Sequence, residues 1–63
     1  MKKVYFLNPT RNSISAFTLV NKGLQFTKEY VFETATPIVD FFVDKNEQRL
    51  VVVDSEKLYE ITL

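Results

Sequence analysis

Leu24-Gln25-Phe26-Thr27-Lys28-Glu29-Tyr30-Val31-Phe32 places apolar or aromatic residues at nearly every second position. Successive strand residues point to opposite faces, so this period predicts a half-buried β-strand and not a helix. Leu24, Phe26, Tyr30 and Phe32 are expected on one face together with Lys28. Gln25, Thr27, Glu29 and Val31 are expected on the other. Just before the stretch stands Asn21-Lys22-Gly23, with the only glycine of the chain. A glycine in the left-handed region predicts a three-residue hairpin with a bulge.

Working outward, Ser13 to Val20 alternates Ile14, Ala16, Thr18 and Val20 against Ser15, Phe17 and Leu19. Val4 to Leu7 is a short run of β-formers closed by Asn8-Pro9-Thr10-Arg11-Asn12, because proline cannot donate to a ladder. On the other side, the loop Glu33 to Pro37 leads into Ile38 to Val43. There Val39, Phe41 and Val43 oppose Ile38, Asp40 and Phe42. Asp44-Lys45-Asn46-Glu47-Gln48 reads as a polar turn, and Asp44 to Arg49 is the one place where a short helical turn competes. Leu50-Val51-Val52-Val53 is apolar on both faces, as expected of a strand buried on both sides. Asp54-Ser55-Glu56-Lys57 is a further turn, and Leu58 to Leu63 the last strand, with Tyr59, Ile61 and Leu63 on one side. The prediction is an all-β antiparallel meander of about six short strands. Phe17, Leu19, Phe41, Val51, Val53, Tyr59 and Ile61 are the expected packing residues, with Val31 and Phe42 on faces opposite the core.

A chain of 63 residues allows one domain at most. A domain of that size buries only about 60% of the surface its unfolded chain exposes, so small folds tend to need a staple. The chain has no cysteine and no histidine. Disulfides, thiolate metal sites, the commonest zinc ligand and the usual general base are therefore excluded. Apolar residues at 46% with nine aromatics exclude a disordered segment. Eight basic residues balance eight acidic ones, whereas a nucleic-acid binder more often carries a basic excess. Neutrality also favours association. The apolar run after Lys2-Lys3 stops at Asn8-Pro9, too short for a signal peptide, and no stretch approaches a membrane helix. The expected location is cytoplasmic, with no membrane partner; absence of cysteine fits a reducing compartment.

No catalytic, cofactor-binding or metal-binding residue emerges. Asp40, Asp44, Glu47, Asp54 and Glu56 suggest calcium only superficially. Asp44-x-Asn46 opens like an EF-hand loop, but Gln48 and Arg49 stand where an aspartate or asparagine and a glycine are required. Nothing places two of the carboxylates in a cleft for glycoside hydrolysis. Ser13, Ser15 and Ser55 have no histidine partner, and one glycine cannot build a phosphate loop.

The chain also repeats itself. Lys3-Val4-Tyr5-Phe6-Leu7-Asn8, a turn and Ser13-Ile14-Ser15-Ala16-Phe17 can be laid over Arg49-Leu50-Val51-Val52-Val53-Asp54, a turn and Lys57-Leu58-Tyr59-Glu60-Ile61. Asn8 and Asp54 are 46 positions apart, close to the roughly 40–50 residues of a propeller blade. With Thr36-Pro37-Ile38-Val39-Asp40-Phe41, these segments resemble β-propeller repeats of the Tyr-Val-Thr-Asn-like class, related to WD40 blades, over nearly the whole chain. The chain departs from the strict WD40 pattern, since it has neither histidine nor tryptophan and its turns are poor in glycine. The resemblance implies about one and a half blades, with residues 3–32 ending one repeat and 36–63 starting the next, within a single β unit spanning 1–63. A repeat cannot bury its hydrophobic face alone. The implied molecule is a fragment, a subunit completed by oligomerisation, or a piece that docks onto another chain.

The functional expectation is a non-catalytic protein-interaction scaffold whose partner is itself or another protein chain, through sheet edges and an apolar face. The polar turns are the expected variable contact surface. The alternative is a self-contained small β-barrel binding single-stranded nucleic acid through Tyr5, Phe6, Phe26 and Lys28. Five basic residues and no acidic one up to Lys28 favour that alternative, and the acidic second half offsets it. An enzyme with an active site shared between subunits has no positive support in the sequence.

Overall fold

The computed structural model describes residues 2–46 and 48–63. Glu47, a member of both the polar turn and the acidic cluster, lies outside the described residues, as does Met1. The described residues form six strands and no helix: β1 (Lys3–Asn8), β2 (Ser13–Val20), β3 (Gly23–Val31), β4 (Asp40–Val43), β5 (Arg49–Val53) and β6 (Leu58–Thr62). All pairings are antiparallel between chain neighbours, giving sheets ordered β1-β2-β3 and β4-β5-β6. The chain divides into two compact units, Met1–Phe32 and Glu33–Leu63.

In the first unit β2 is central, and Ser13, Ile14, Ser15 and Ala16 are buried whichever face they point to. Small and β-branched residues suit such a position, where neighbours crowd both faces. Paired residues share a face, so register assigns the sides. Ile14 pairs with Leu7 and Tyr30, and Ala16 with Tyr5 and Lys28. On the opposite face Phe17 pairs with Val4 and Phe26, Ser15 with Phe6 and Glu29, and Leu19 with Leu24.

The register of β2 against β3 corrects two expectations. Ala16 pairs with Lys28 while Phe17 pairs with Phe26, so Thr27 is an extra residue on β3. This bulge reverses the alternation: Leu24 and Phe26 lie on one face, Lys28 and Tyr30 on the other. The β2–β3 loop holds two residues, Asn21 and Lys22, between the paired Val20 and Gly23, and no bulge lies beside the glycine. Gly23 has φ +138°, outside the left-handed helical well. Thr27 Oγ1 lies 3.1 Å from Thr18 Oγ1, which holds the bulged residue to the central strand. At the other end of β3, Phe32 leaves the ladder, but its N–H donates to Asn12 O and its carbonyl accepts from Asn12 Nδ2. Asn12 adopts φ 52°, the left-handed conformation that asparagine tolerates.

In the second unit β5 is central, and Leu50, Val51 and Val52 are buried on both faces, as their unbroken apolar run predicts. Leu50 pairs with Val43 and Ile61, and Val52 with Phe41 and Tyr59, making one continuous apolar face. The strand before it is shorter than expected. Ile38 is buried but precedes the ladder, and Val39 donates to Val53 O at 2.8 Å. No helical turn follows β4 among the described residues. Instead Asp44 Oδ1 accepts from the N–H groups of Gln48 at 2.7 Å and Arg49 at 3.3 Å, closing the β4–β5 turn.

Among the expected packing residues, Val51 is buried and Phe17, Phe41, Val53, Tyr59 and Ile61 are half-buried. Leu19 is not a packing residue: it lies 48% exposed near the end of β2, where the ladder reaches the open β2–β3 loop. The fully buried side chains are Ile14, Leu50, Val52 and Ser13, all on the two central strands.

Candidate functional site

Each unit contains a polar cluster tied to the end of a hairpin. In the first, Asn8 closes β1 and its amide Nδ2 donates to Ser15 Oγ at 2.6 Å and Ser13 Oγ at 3.1 Å. Ser13 Oγ in turn donates to Glu29 Oε2. Arg11 grips the same carboxylate with two donors, Nε to Oε2 at 2.8 Å and Nη2 to Oε1 at 3.1 Å. The Ser13 hydroxyl first, and Arg11 second, hold the Glu29 carboxyl below its usual range against the opposing effect of burial. In the second unit Asp54 is a buried carboxylate. Its Oδ1 accepts from the N–H groups of Glu56 and Lys57, each at 2.7 Å. Its Oδ2 accepts from Thr36 N at 3.2 Å and from the Tyr59 hydroxyl at 3.0 Å. Burial disfavours its charge, but four donors outweigh burial and hold its carboxyl far below the usual carboxylate range.

Both clusters are internally satisfied. No buried side-chain polar atom among the described residues lacks a partner. No group of three or more metal-ligating residues occurs among them. A carboxylate saturated by four donors is an acceptor already in use, so Asp54 ties a turn together and has no capacity left as a base or ligand.

The residues of the nucleic-acid alternative do not share a surface. Tyr5 and Lys28 flank Ala16 on one face of the β1–β2–β3 sheet, while Phe6 and Phe26 lie on the other. The Lys28 ammonium sits 5.1 Å from the centroid of the Tyr30 ring, on the face it shares with Tyr5. Phe6 and Phe26 belong instead to an aromatic row. Phe17 meets Phe6 edge-to-face at 5.4 Å between centroids and Phe26 at 5.6 Å. Phe6 is 45% exposed and Phe26 58%, and the adjoining pair Leu19 and Leu24 is also exposed. The sequence did not reveal this row, because a two-residue loop, where three residues are expected, puts Phe26 opposite Phe17, and the extra residue at Thr27 then turns Lys28 away.

The second unit has an exposed face of different character. Phe42 pairs with Val51, which also pairs with Glu60; Asp40 pairs with Val53, which also pairs with Leu58. Phe42 at 55% and Leu58 at 59% exposed therefore alternate with the exposed carboxylates Asp40 and Glu60 over a floor of valines. Arg49 reaches Glu60 at 3.3 Å from one side. No helix among the described residues is long and apolar enough to cross a membrane. No protein-family model, curated protein or solved structure matches this chain.

Proposed function

We propose that this chain is a non-catalytic, propeller-like β segment acting in the cytoplasm as a protein-interaction scaffold, completed by further copies or by a partner chain. The observation that carries the reading is the Phe6–Phe17–Phe26 row with Leu19 and Leu24 beside it, a solvent-facing aromatic stripe on a regular sheet. Aromatic side chains in contiguous exposed apolar patches are the usual anchors of protein interfaces. The polar clusters support the same reading from the other side, since both are used up in holding turns. Two three-stranded meanders, one with a hairpin strand that ends in Asn8 and the other with a hairpin strand followed by Asp54, support the blade-like repeat. The separation of Tyr5 and Lys28 from Phe6 and Phe26 favours association over base stacking.

The test is the native mass of the protein in cell extract, compared between the wild type and Phe26→Ser. The expected result is an assembly well above the 7.4 kDa of one chain, shifted toward the monomer by the substitution. A protein that elutes as a free monomer in both forms refutes the reading.

A further inference from the structure

The charge of this neutral chain is divided between its two units. Met1–Phe32 carries Lys2, Lys3, Arg11, Lys22 and Lys28 against Glu29 alone, a formal charge of +4. Glu33–Leu63 carries seven acidic residues against Lys45, Arg49 and Lys57, a formal charge of −4. A +4 surface and a −4 surface of the same chain are complementary between copies.

The exposed apolar groups follow the same division. Lys3 pairs with Thr18, Lys2 O accepts from Leu19 N at 2.9 Å, and Lys22 stands in the loop that joins β2 to β3. Lys2 thus stands on the face of Leu19 and Leu24, beside the aromatic row and next to the Lys22 loop, whereas Lys3, like Thr18, lies on the opposite face. Arg11, at the other end, is already paired with Glu29, and Lys2, Lys3 and Lys22 carry no ion pair among the described residues. On the acidic unit, Asp40 and Glu60 alternate with the exposed Phe42 and Leu58 on one sheet face. One unit presents lysines around apolar groups, and the other presents carboxylates around apolar groups.

We infer that the partner is a second copy of this chain, bound head to tail: the lysine-rimmed aromatic face of one copy's first unit docks on the Asp40–Phe42–Leu58–Glu60 face of the next copy's second unit. This deepens the interaction reading and rests on it. Such a contact joins unlike surfaces, so it closes into a ring, of which the reciprocal pair of chains is the smallest, or propagates into a filament. Apolar burial supplies affinity, while the opposed charges fix which face meets which.

The experiment is sedimentation velocity of the purified chain over a concentration series, at about 0.05 M and about 0.5 M salt, where screening differs strongly. Self-association is expected at low salt, weakening at high salt. Two charge-reversed proteins supply the decisive arm, one carrying Lys2→Glu and Lys22→Glu, the other Asp40→Lys and Glu60→Lys. All four positions are exposed, and circular dichroism checks that each protein is folded. Each protein alone is expected to associate about tenfold or more weakly than the wild type. An equimolar mixture is expected to regain association, because both contacts in the mixture join opposite charges. Failure of the mixture to regain it, or association of either variant at wild-type strength, overturns the head-to-tail contact. A purified chain that stays monomeric throughout, while the native protein in extract remains in an assembly sensitive to Phe26→Ser, overturns self-docking and leaves the interaction reading standing.

Discussion

The hydroxyl of Tyr59 donates to Asp54 Oδ2 at 3.0 Å and accepts the N–H of Ala35, also at 3.0 Å. One phenol oxygen therefore joins β6, the β5–β6 turn and the segment leading into β4. Thr36 completes the link: its N–H donates to Asp54 Oδ2, and its Oγ1 accepts from Ser55 N at 3.0 Å. The tyrosine ring meanwhile lies on the face of Val52, to which Tyr59 is paired.

Tyr59→Phe separates these two roles, since the ring stays and the hydroxyl goes. Loss of two hydrogen bonds, one to a charged acceptor, is expected to cost about 1–2 kcal/mol. Urea denaturation checks this: the midpoint falls while the slope stays unchanged, because the surface exposed on unfolding is the same. An unchanged midpoint would show that the hydroxyl contributes nothing to the second unit.

Acid is expected to weaken both units in the same direction. The carboxyls of Glu29 and Asp54 both titrate lower in the folded chain than in an unfolded one. Each therefore contributes stability that is complete above the unfolded pKa and lost as pH falls toward the folded one. The loss begins below about pH 5 and continues downward, with Asp54 retaining its contribution to the lower pH because four donors hold its charge. Melting temperatures at pH 7, 5 and 3 test the slope, and Asp54→Asn should flatten it as well as lower stability at pH 7. A protein equally stable at pH 7 and pH 3 contradicts the assignment of both carboxylates.

The strands were legible in the sequence because burial and turn chemistry agreed along most of the chain. Ser13–Val20 forms β2 at the bounds its alternation predicts, and Leu50–Val52 is buried as a two-sided apolar run requires. What the sequence concealed came from pairing. Nothing in Phe26-Thr27-Lys28 marks Thr27 as the residue without a partner, because a bulge is a relation between strands and not a local preference. That single residue moved Lys28 and Tyr30 off the face of the Phe6–Phe17–Phe26 row, which the two-residue β2–β3 loop had set by pairing Phe17 with Phe26. Asp54 was recognisable as a turn former, but its saturation depends on Thr36 and Tyr59, which only the fold brings to it.

Gly23 offers a test of backbone conformation free of packing. At φ +138° its backbone is one that side-chain-bearing residues rarely adopt, yet an added Cβ meets nothing within 4 Å. Gly23→Ala is therefore expected to destabilise the first unit by about 1–3 kcal/mol through backbone strain alone. Hydrogen exchange of the β2–β3 amides reads this locally, with faster exchange near Val20 and Leu24 and none at β5. Wild-type exchange would mean that the loop relaxes to a conformation alanine accepts.

Leu50 and Val31 are apolar strand residues at opposite extremes of exposure, and they separate core packing from strand preference. Leu50 is fully buried between Val43 and Ile61, whereas Val31 is 63% exposed at the end of β3. Leu50→Ala removes buried methyl groups at a site closed on both faces, which costs about 2–5 kcal/mol. A chain of this length has roughly 3–9 kcal/mol in all, so this change takes much of the stability available. Val31→Thr keeps a β-branched side chain at an open site and is expected to stay within about 0.5 kcal/mol of the wild type. Thermal melts at a concentration low enough to keep the chain monomeric give the comparison. If Leu50→Ala and Val31→Thr melt together, β5 is not the centre of the second unit's core.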